Sequence, residues 1–485
     1  MRSRHVDEGR FLLFGSKSFR STEEARVSSR ASGFLFSLVF LLMVGPAVRA
    51  QSSANTSDAE VAVAWFDLLY DIVRAESLSP PVAARTYGIA SITLYEAIVP
   101  GSRHHQSLVG QLNALSFLPQ PERHKSYHWP AVANGALATS LRHLFPSASA
   151  ESIAAIEALA QHFSSVFQAQ VPRALVARSL AHGERIADAV FTSASTDGYE
   201  KLNNCPFTPP KGPGLWVPTP TSFTPTPLEP CWGQLVPFVL SSGAACATHA
   251  PPAYSEDSTS QFFLDAREVY ETVNNLTAEQ QTIARYWADG PGMTGTPSGH
   301  WIAIVGQLAD RERLSLATAA EAYARVGIAV ADAFIASWHT KYQYNLLRPV
   351  TYIRKLLDPA WSSFIATPPF PEYTSGHSVQ SVAVATVLTD LFGDKSFTDT
   401  THVDHELMPT LAPRSFASFL DAANEAAISR LYGGIHFRPG IEQGLEQGVC
   451  VGETIIDRIQ FTKNGTRGFT VGILEPGRAV PHHSS

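Results

Sequence analysis

Nine prolines fall between Cys205 and Trp232. No regular helix or central strand survives that density, because each proline lacks an N–H and its ring clashes with the preceding turn. The chain must therefore fold in two parts around an irregular, proline-rich excursion over 201–262. On both sides of it the pattern is helical. Apolar residues recur at three- and four-residue spacing through WFDLLYDIVRAES and, after a Ser-Pro-Pro break, through VAARTYGIASITLYEAIV. Segments 128–168 and 171–193 are helical and rich in Ala and Leu. Beyond the excursion, helices are expected over 276–289, 299–310, 313–338, 344–357, 376–392, 415–433 and 441–460. Alternating β patterns are nearly absent. The expected class is all-α, with helical bundles in one compact domain. An N-terminal helical half (58–200) and a C-terminal helical half (263–465) flank the excursion, and 466–485 forms a tail. Loops as long as the excursion serve as lids or rims of sites, or as packed connectors.

The 485 residues are 45% hydrophobic and 16% charged, a balance that supports extensive burial and excludes a disordered chain. Residues 1–50 hold 8 Lys/Arg against 4 Asp/Glu, so of the net −7 the remainder carries −7 − 4 = −11. An acidic body argues against nucleic acid and anionic membrane as partners. The apolar run Phe34 to Val48, preceded by Arg26 and Arg30 and followed by Ala50, reads as a signal peptide cleaved near Ala50. The mature protein is then expected to be secreted or periplasmic and free of membrane; an uncleaved anchor is the alternative. Four cysteines allow three pairings. A Cys205–Cys231 bridge closing the proline-rich loop is preferred over buried free thiols, and no spacing suggests zinc.

The chemistry lies in three ordered clusters: KYQYNLLRP at 341–349, YTSGH at 373–377 and SRLYGGIH at 429–436. Together they supply Lys341, Arg348 and Arg430, the Ser375 hydroxyl, the Gly376 amide, and His377 and His436. That set suits one tetrahedral oxyanion: cations neutralise its charge, an amide at a helix start approaches closely, one histidine attacks or coordinates, and the other moves protons. Lys341 and Arg348 are seven apart, two turns of a continuous helix, while Pro349 biases Arg348 away from helical conformation. Taken singly, each cluster has an ordinary structural explanation: a solvated face, a helix cap, a core histidine. A similar string, Pro297-Ser298-Gly299-His300, precedes the first cluster, and His300 is read as structural or at the rim.

Lys-x6-Arg-Pro, then Ser-Gly-His, then Ser-Arg-x5-His resembles the signature of the vanadium-dependent haloperoxidases and type 2 phosphatidic acid phosphatases, the haloperoxidases more closely. RTYGIASITLYEAI, PCWGQLVPF and DGPGMTGTPSGHW resemble the bacterial haloperoxidase-related branch, so the likeness covers most of 58–460. The resemblance implies that Lys341, Arg348, Ser375, Gly376 and Arg430 hold vanadate or phosphate, that His436 is the axial metal ligand or the nucleophile, and that His377 is the acid/base. It further implies hydrogen peroxide and halide as substrates, with a phosphomonoester in the alternative. A homo-oligomer is compatible with it. Trp338 and Phe370 are expected on the apolar halide side of the pocket, Glu372 beside His377, and Asp289 as the partner of Arg430.

Two departures from the pattern stand out. Thr374 replaces the usual proline before Ser-Gly-His. Gly440 stands where an Asp four residues after the axial histidine would orient its ring, so Glu442 or a backbone carbonyl is expected to substitute, and Pro439-Gly440 to interrupt the helix. Three readings follow: a vanadate-dependent haloperoxidase, a soluble phosphomonoesterase acting through a phospho-histidine, and a catalytically impaired relative suggested by Gly440.

Overall fold

A computed structural model of the chain describes residues 53–463. The proposed signal peptide and tail lie outside them. At the centre is the helix Leu316–Tyr344, almost all of it buried. Ser315 caps its start, its side chain accepting the Thr318 N–H. Small residues let neighbours approach this helix. Gly327 faces the helix Pro80–Ile98, where a Cβ would stand 2.5 Å from Ser91 Oγ, so only glycine permits the crossing. The two halves on either side of the prolines thus share one principal hydrophobic core.

The class is all-α: fifteen α-helices, two short 3₁₀ helices and one two-stranded antiparallel ribbon, Phe397–Asp399 with Arg414–Phe416, make up the regular structure of the described residues. Three-residue strands are too short to show an alternating pattern. Helix ends depart from expectation where punctuation intervenes. The 128–168 segment divides into Trp129–Leu144 and Ala150–Gln170, and a helix Gln261–Asn274 appears that periodicity alone did not reveal.

A larger correction concerns 338–357. The central helix runs past the expected end at 338 and stops at Asn345, whose left-handed φ of 48° ends it, and the next helix starts at Pro349, not at 344, with Arg348 as extended N-cap. Pro349 therefore starts a helix, and so does Pro439: Arg438–Arg458 begins there instead of breaking.

The proline-rich excursion is pinned along the central helix. Buried Asp332 accepts the N–H groups of Phe238, Val239 and Leu240 at 2.7–2.9 Å. Cys205–Cys231 closes the loop as expected, and Cys246–Cys450 ties its end to the last helix. The Leu228 N–H donates to Pro369 O, so the loop lies against the segment leading into Ser375.

Candidate anion site

The three clusters meet at the ends of helices. Lys341 comes from the last turn of the central helix, Arg348 from the next helix's N-cap, Ser375 and Gly376 from the start of Gly376–Phe392, and Arg430 from the last turn of Phe419–Tyr432. His436 follows Gly434, whose φ of 75° makes the turn into Arg438–Arg458. Ser375 caps its helix by accepting the Ser378 N–H, leaving the Gly376 amide at the helix mouth. A cavity of about 320 Å³ opens here. His377, Arg430, His436 and Gly376 line its floor, Trp338, Phe334 and Phe370 one wall, and Leu228, Thr221 and Ser222 of the excursion another. The excursion is thus a wall of the pocket as well as a connector.

Glu372 sets the state of His436. Its Oε1 lies 2.7 Å from His436 Nδ1 and also accepts the Phe437 N–H. On the other side of the ring, Arg348 Nη1 is 3.1 Å from His436 Nε2. A guanidinium can only donate, so Nε2 carries the lone pair and Nδ1 the proton. Burial, with Arg348 and Lys341 adding to it, pushes the His436 pKa well below its ordinary value, consistent with a neutral ring. Burial raises Glu372 to about 7 against the pull of Lys341 and Arg348. Glu372 therefore serves His436, not His377 as expected from sequence.

Gly440 makes the arrangement possible. A Cβ there would lie 2.3 Å from Glu372 Oε1. The orienting carboxylate has moved from the helix after His436 to the loop before Ser375, and the glycine is the space it occupies. Glu442 takes no part, its one charged partner being Arg438 at 3.9 Å.

His377 stands in the first turn of its helix and lines the same cavity, its buried Nε2 without a partner. Burial and then Arg430 hold its pKa well below 6.5. The Trp287 carbonyl accepts from Arg430 Nη1 at 2.6 Å. Asp289 lines the cavity and, as the partner expected for Arg430, its charge favours that cation, but without a direct bond: its hydrogen bonds go to His300, 3.0 Å away.

Arg348 donates Nε to Phe370 O and Nη1 to Ile435 O, while Nη2 is buried without a partner, as is Arg430 Nε. Lys341 stands one layer back: Nζ donates to the carbonyls of Pro371, Glu372 and Thr374, holding the loop that carries Ser375. Burial drives its pKa well down, with Arg348 adding to the effect. Phe370 covers both cations, 5.2 Å from Lys341 Nζ and 4.8 Å from Arg348 Cζ. Thr374, in place of the usual proline, uses its hydroxyl to bond Gln447 Oε1 at 2.6 Å.

The seven cluster residues thus gather in one place. Sequence reasoning missed the carboxylate's true partner and the role of the Trp287 carbonyl. The signal for the first was Gly440 itself; a backbone carbonyl leaves no signal in sequence.

Comparison with known proteins agrees. Residues 321–465 match a family model described as the VCPO second helical-bundle domain. The crystal structure of a bacterial vanadium-dependent iodoperoxidase superposes with a TM-score of 0.77 at 36% identity, over 84% of this chain and 97% of that one. A holo-type bacterial vanadium-dependent chloroperoxidase gives 0.60 at 15% identity, over 79% and 93%, and shares the fold. Vanadium chloroperoxidase of Curvularia inaequalis is 32% identical over 124 residues, a stretch covering 20% of each chain.

Proposed function

The chain belongs to the vanadium-dependent haloperoxidase superfamily, and from that membership we propose that it is a haloperoxidase holding vanadate in this cavity and oxidising halide with hydrogen peroxide. One observation carries the reading. Arg348 Nη2 and Arg430 Nε are buried and unpartnered beside the lone pair of His436 Nε2. Buried donors without acceptors are costly, and a tetrahedral oxyanion satisfies them together. The donor set fits vanadate. Arg348 and Arg430 would take its oxygens with Ser375 and the Gly376 N–H, Lys341 would add charge from behind, and His436 Nε2 would coordinate the metal.

Bound vanadate supplies Lewis-acid activation of peroxide. The protein supplies the rest. Glu372 holds the His436 lone pair toward the cavity. His377 Nε2, free of any protein partner, takes a proton from incoming hydrogen peroxide and returns it to the departing oxygen. Trp338, Phe334 and Phe370 keep one flank apolar, suited to a large, weakly hydrated halide.

A phosphomonoesterase is the second reading, favoured by the neutral, carboxylate-backed His436, which is also the state a phosphorus-attacking histidine requires. The impaired-relative reading loses its motive, since Glu372 stands in for the carboxylate missing at 440. Two disulfides and no free cysteine among the described residues support an oxidising compartment, in line with an exported protein.

The test uses the purified protein with and without orthovanadate. Bromide and peroxide are offered with a halogen acceptor, and p-nitrophenyl phosphate in parallel. Vanadate-dependent bromination is the expected result; phosphate release that vanadate inhibits would replace it with the second reading. His436→Ala should abolish turnover. His377→Ala should lower it about 100-fold or more while vanadate stays bound.

A further inference from the structure

The described residues include two methionines, Met293 and Met408, and no free cysteine. These are the two thioethers open to oxidation there, and both are exposed, Met293 by 60% and Met408 by 81%. Met293 alone stands beside the anion cavity. It closes a tight turn, its N–H donating to Gly290 O at 3.0 Å, and Gly292 takes the left-handed position, φ 75°, that the turn requires. Gly290 and Pro291 of that turn line the cavity. A Cβ on Gly290 would stand 3.5 Å from Met293 Sδ, so the sulfur rests against bare backbone at the rim. Met408 has no such place. None of residues 401–410 lines the cavity, and Leu407 beside it packs with Tyr70 and Ala303.

We propose that Met293 is a self-oxidation site: hypohalous acid leaving the cavity is reduced at its sulfur, and the thioether becomes a sulfoxide. The inference rests on the haloperoxidase reading, which supplies the oxidant. The sulfur lone pair takes the halogen from hypohalous acid and hydroxide leaves. Water then bonds to sulfur as halide departs, and of the two protons it loses one neutralises the hydroxide. Sulfur is oxidised by two electrons and the halogen is reduced to halide, so the products are sulfoxide, halide and one proton. Position favours this sulfur over its neighbours. Trp338 lines a wall, but its ring is 1% exposed and its N–H is tied to Leu228 O at 3.3 Å. The prolines of the rim, Pro291, Pro297, Pro368 and Pro369, carry no soft atom. Met293 does, and it holds that polarizable sulfur at the mouth. Oxidation returns halide for another cycle and turns an apolar edge of the mouth into a hydrogen-bond acceptor.

The experiment follows methionine sulfoxide by peptide mass spectrometry in the full protein loaded with orthovanadate and given bromide and hydrogen peroxide without an organic acceptor. Met293 should oxidise roughly fivefold faster than Met408. Reagent hypobromite added to vanadate-free protein supplies the comparison: oxidant arriving from bulk water should reach the more exposed Met408 at least as fast as Met293. A sample without bromide should leave both sulfurs at the level that peroxide alone produces in vanadate-free protein. The proposal is overturned if an acceptor is brominated while the ratio of Met293 to Met408 oxidation matches that from reagent hypobromite. Equal oxidation of Met293 without bromide overturns it too. A protein that brominates no acceptor overturns the haloperoxidase reading and this site with it, and the acceptor assay tells that failure from the other two.

Discussion

Glu372 reaches His436 from 64 positions earlier in the chain, and its partner in the exchange is a missing side chain. Two predictions follow from that pairing. Glu372→Gln keeps the shape and loses the charge, so vanadate-dependent turnover should fall ~10–100-fold, as it does when such orienting groups are removed. Because Glu372 titrates at about 7, the variant should also lose any limb near that pH from its kcat/KM profile. Gly440→Ala should do comparable damage from a distance, its methyl group occupying the carboxylate's place; unchanged turnover would show that the loop yields at no cost. At this scale the sequence was legible wherever the signal was a residue type: the cations, the two imidazoles and the aromatic wall all converge. It was illegible where the signal was a vacancy. Gly440 reads as a lost carboxylate until the loop from Pro371 to Thr374 is seen folded over Lys341.

The elements depend on their stops. Had the central helix continued, Lys341 and Arg348 would sit about 10 Å apart along its axis (seven residues at ~1.5 Å each), too far to share one oxyanion. Asn345 and Pro349 end one helix and begin another, and the second cation swings back to the first. Sequence gave the proline's bias on Arg348 but not the left-handed turn before it, because Asn tolerates both conformations. The short ribbon and the helix Gln261–Asn274 escaped for similar reasons of length and neighbourhood. The excursion carries a prediction of its own. Replacing Cys205 and Cys231 by serine should cost about 3 kcal/mol by loop entropy, read as a lower denaturation midpoint. Since Leu228 and Thr221 border the cavity, it should also raise the KM for a bulky halogen acceptor while vanadate affinity holds. An equal loss of both would mean that the loop supports the cradle itself.

Across the whole molecule, cations are concentrated inward against an acidic body, and a second buried charge system stabilises the fold from behind. Burial alone would lower the His300 pKa, but Asp289 and Asp399 outweigh it and raise it to about 10 from 6.5. A raised base means the folded state binds the proton more tightly, so this contribution is complete below about 6.5 and is lost as pH climbs through 10. Urea midpoints should therefore decline over that window in wild type and decline less in the His300→Gln, Asp399→Asn pair. The seven cluster residues all lie between residues 341 and 436, inside the stretch that matches the bundle domain. Yet the glycine crossing at Gly327 commits the central helix to a partner that begins at Pro80, and the cavity borrows Pro80 and Leu228 for its rim. An excised C-terminal fragment would keep every ligand and lose the helix against which its central helix packs: modular in sequence, indivisible in space.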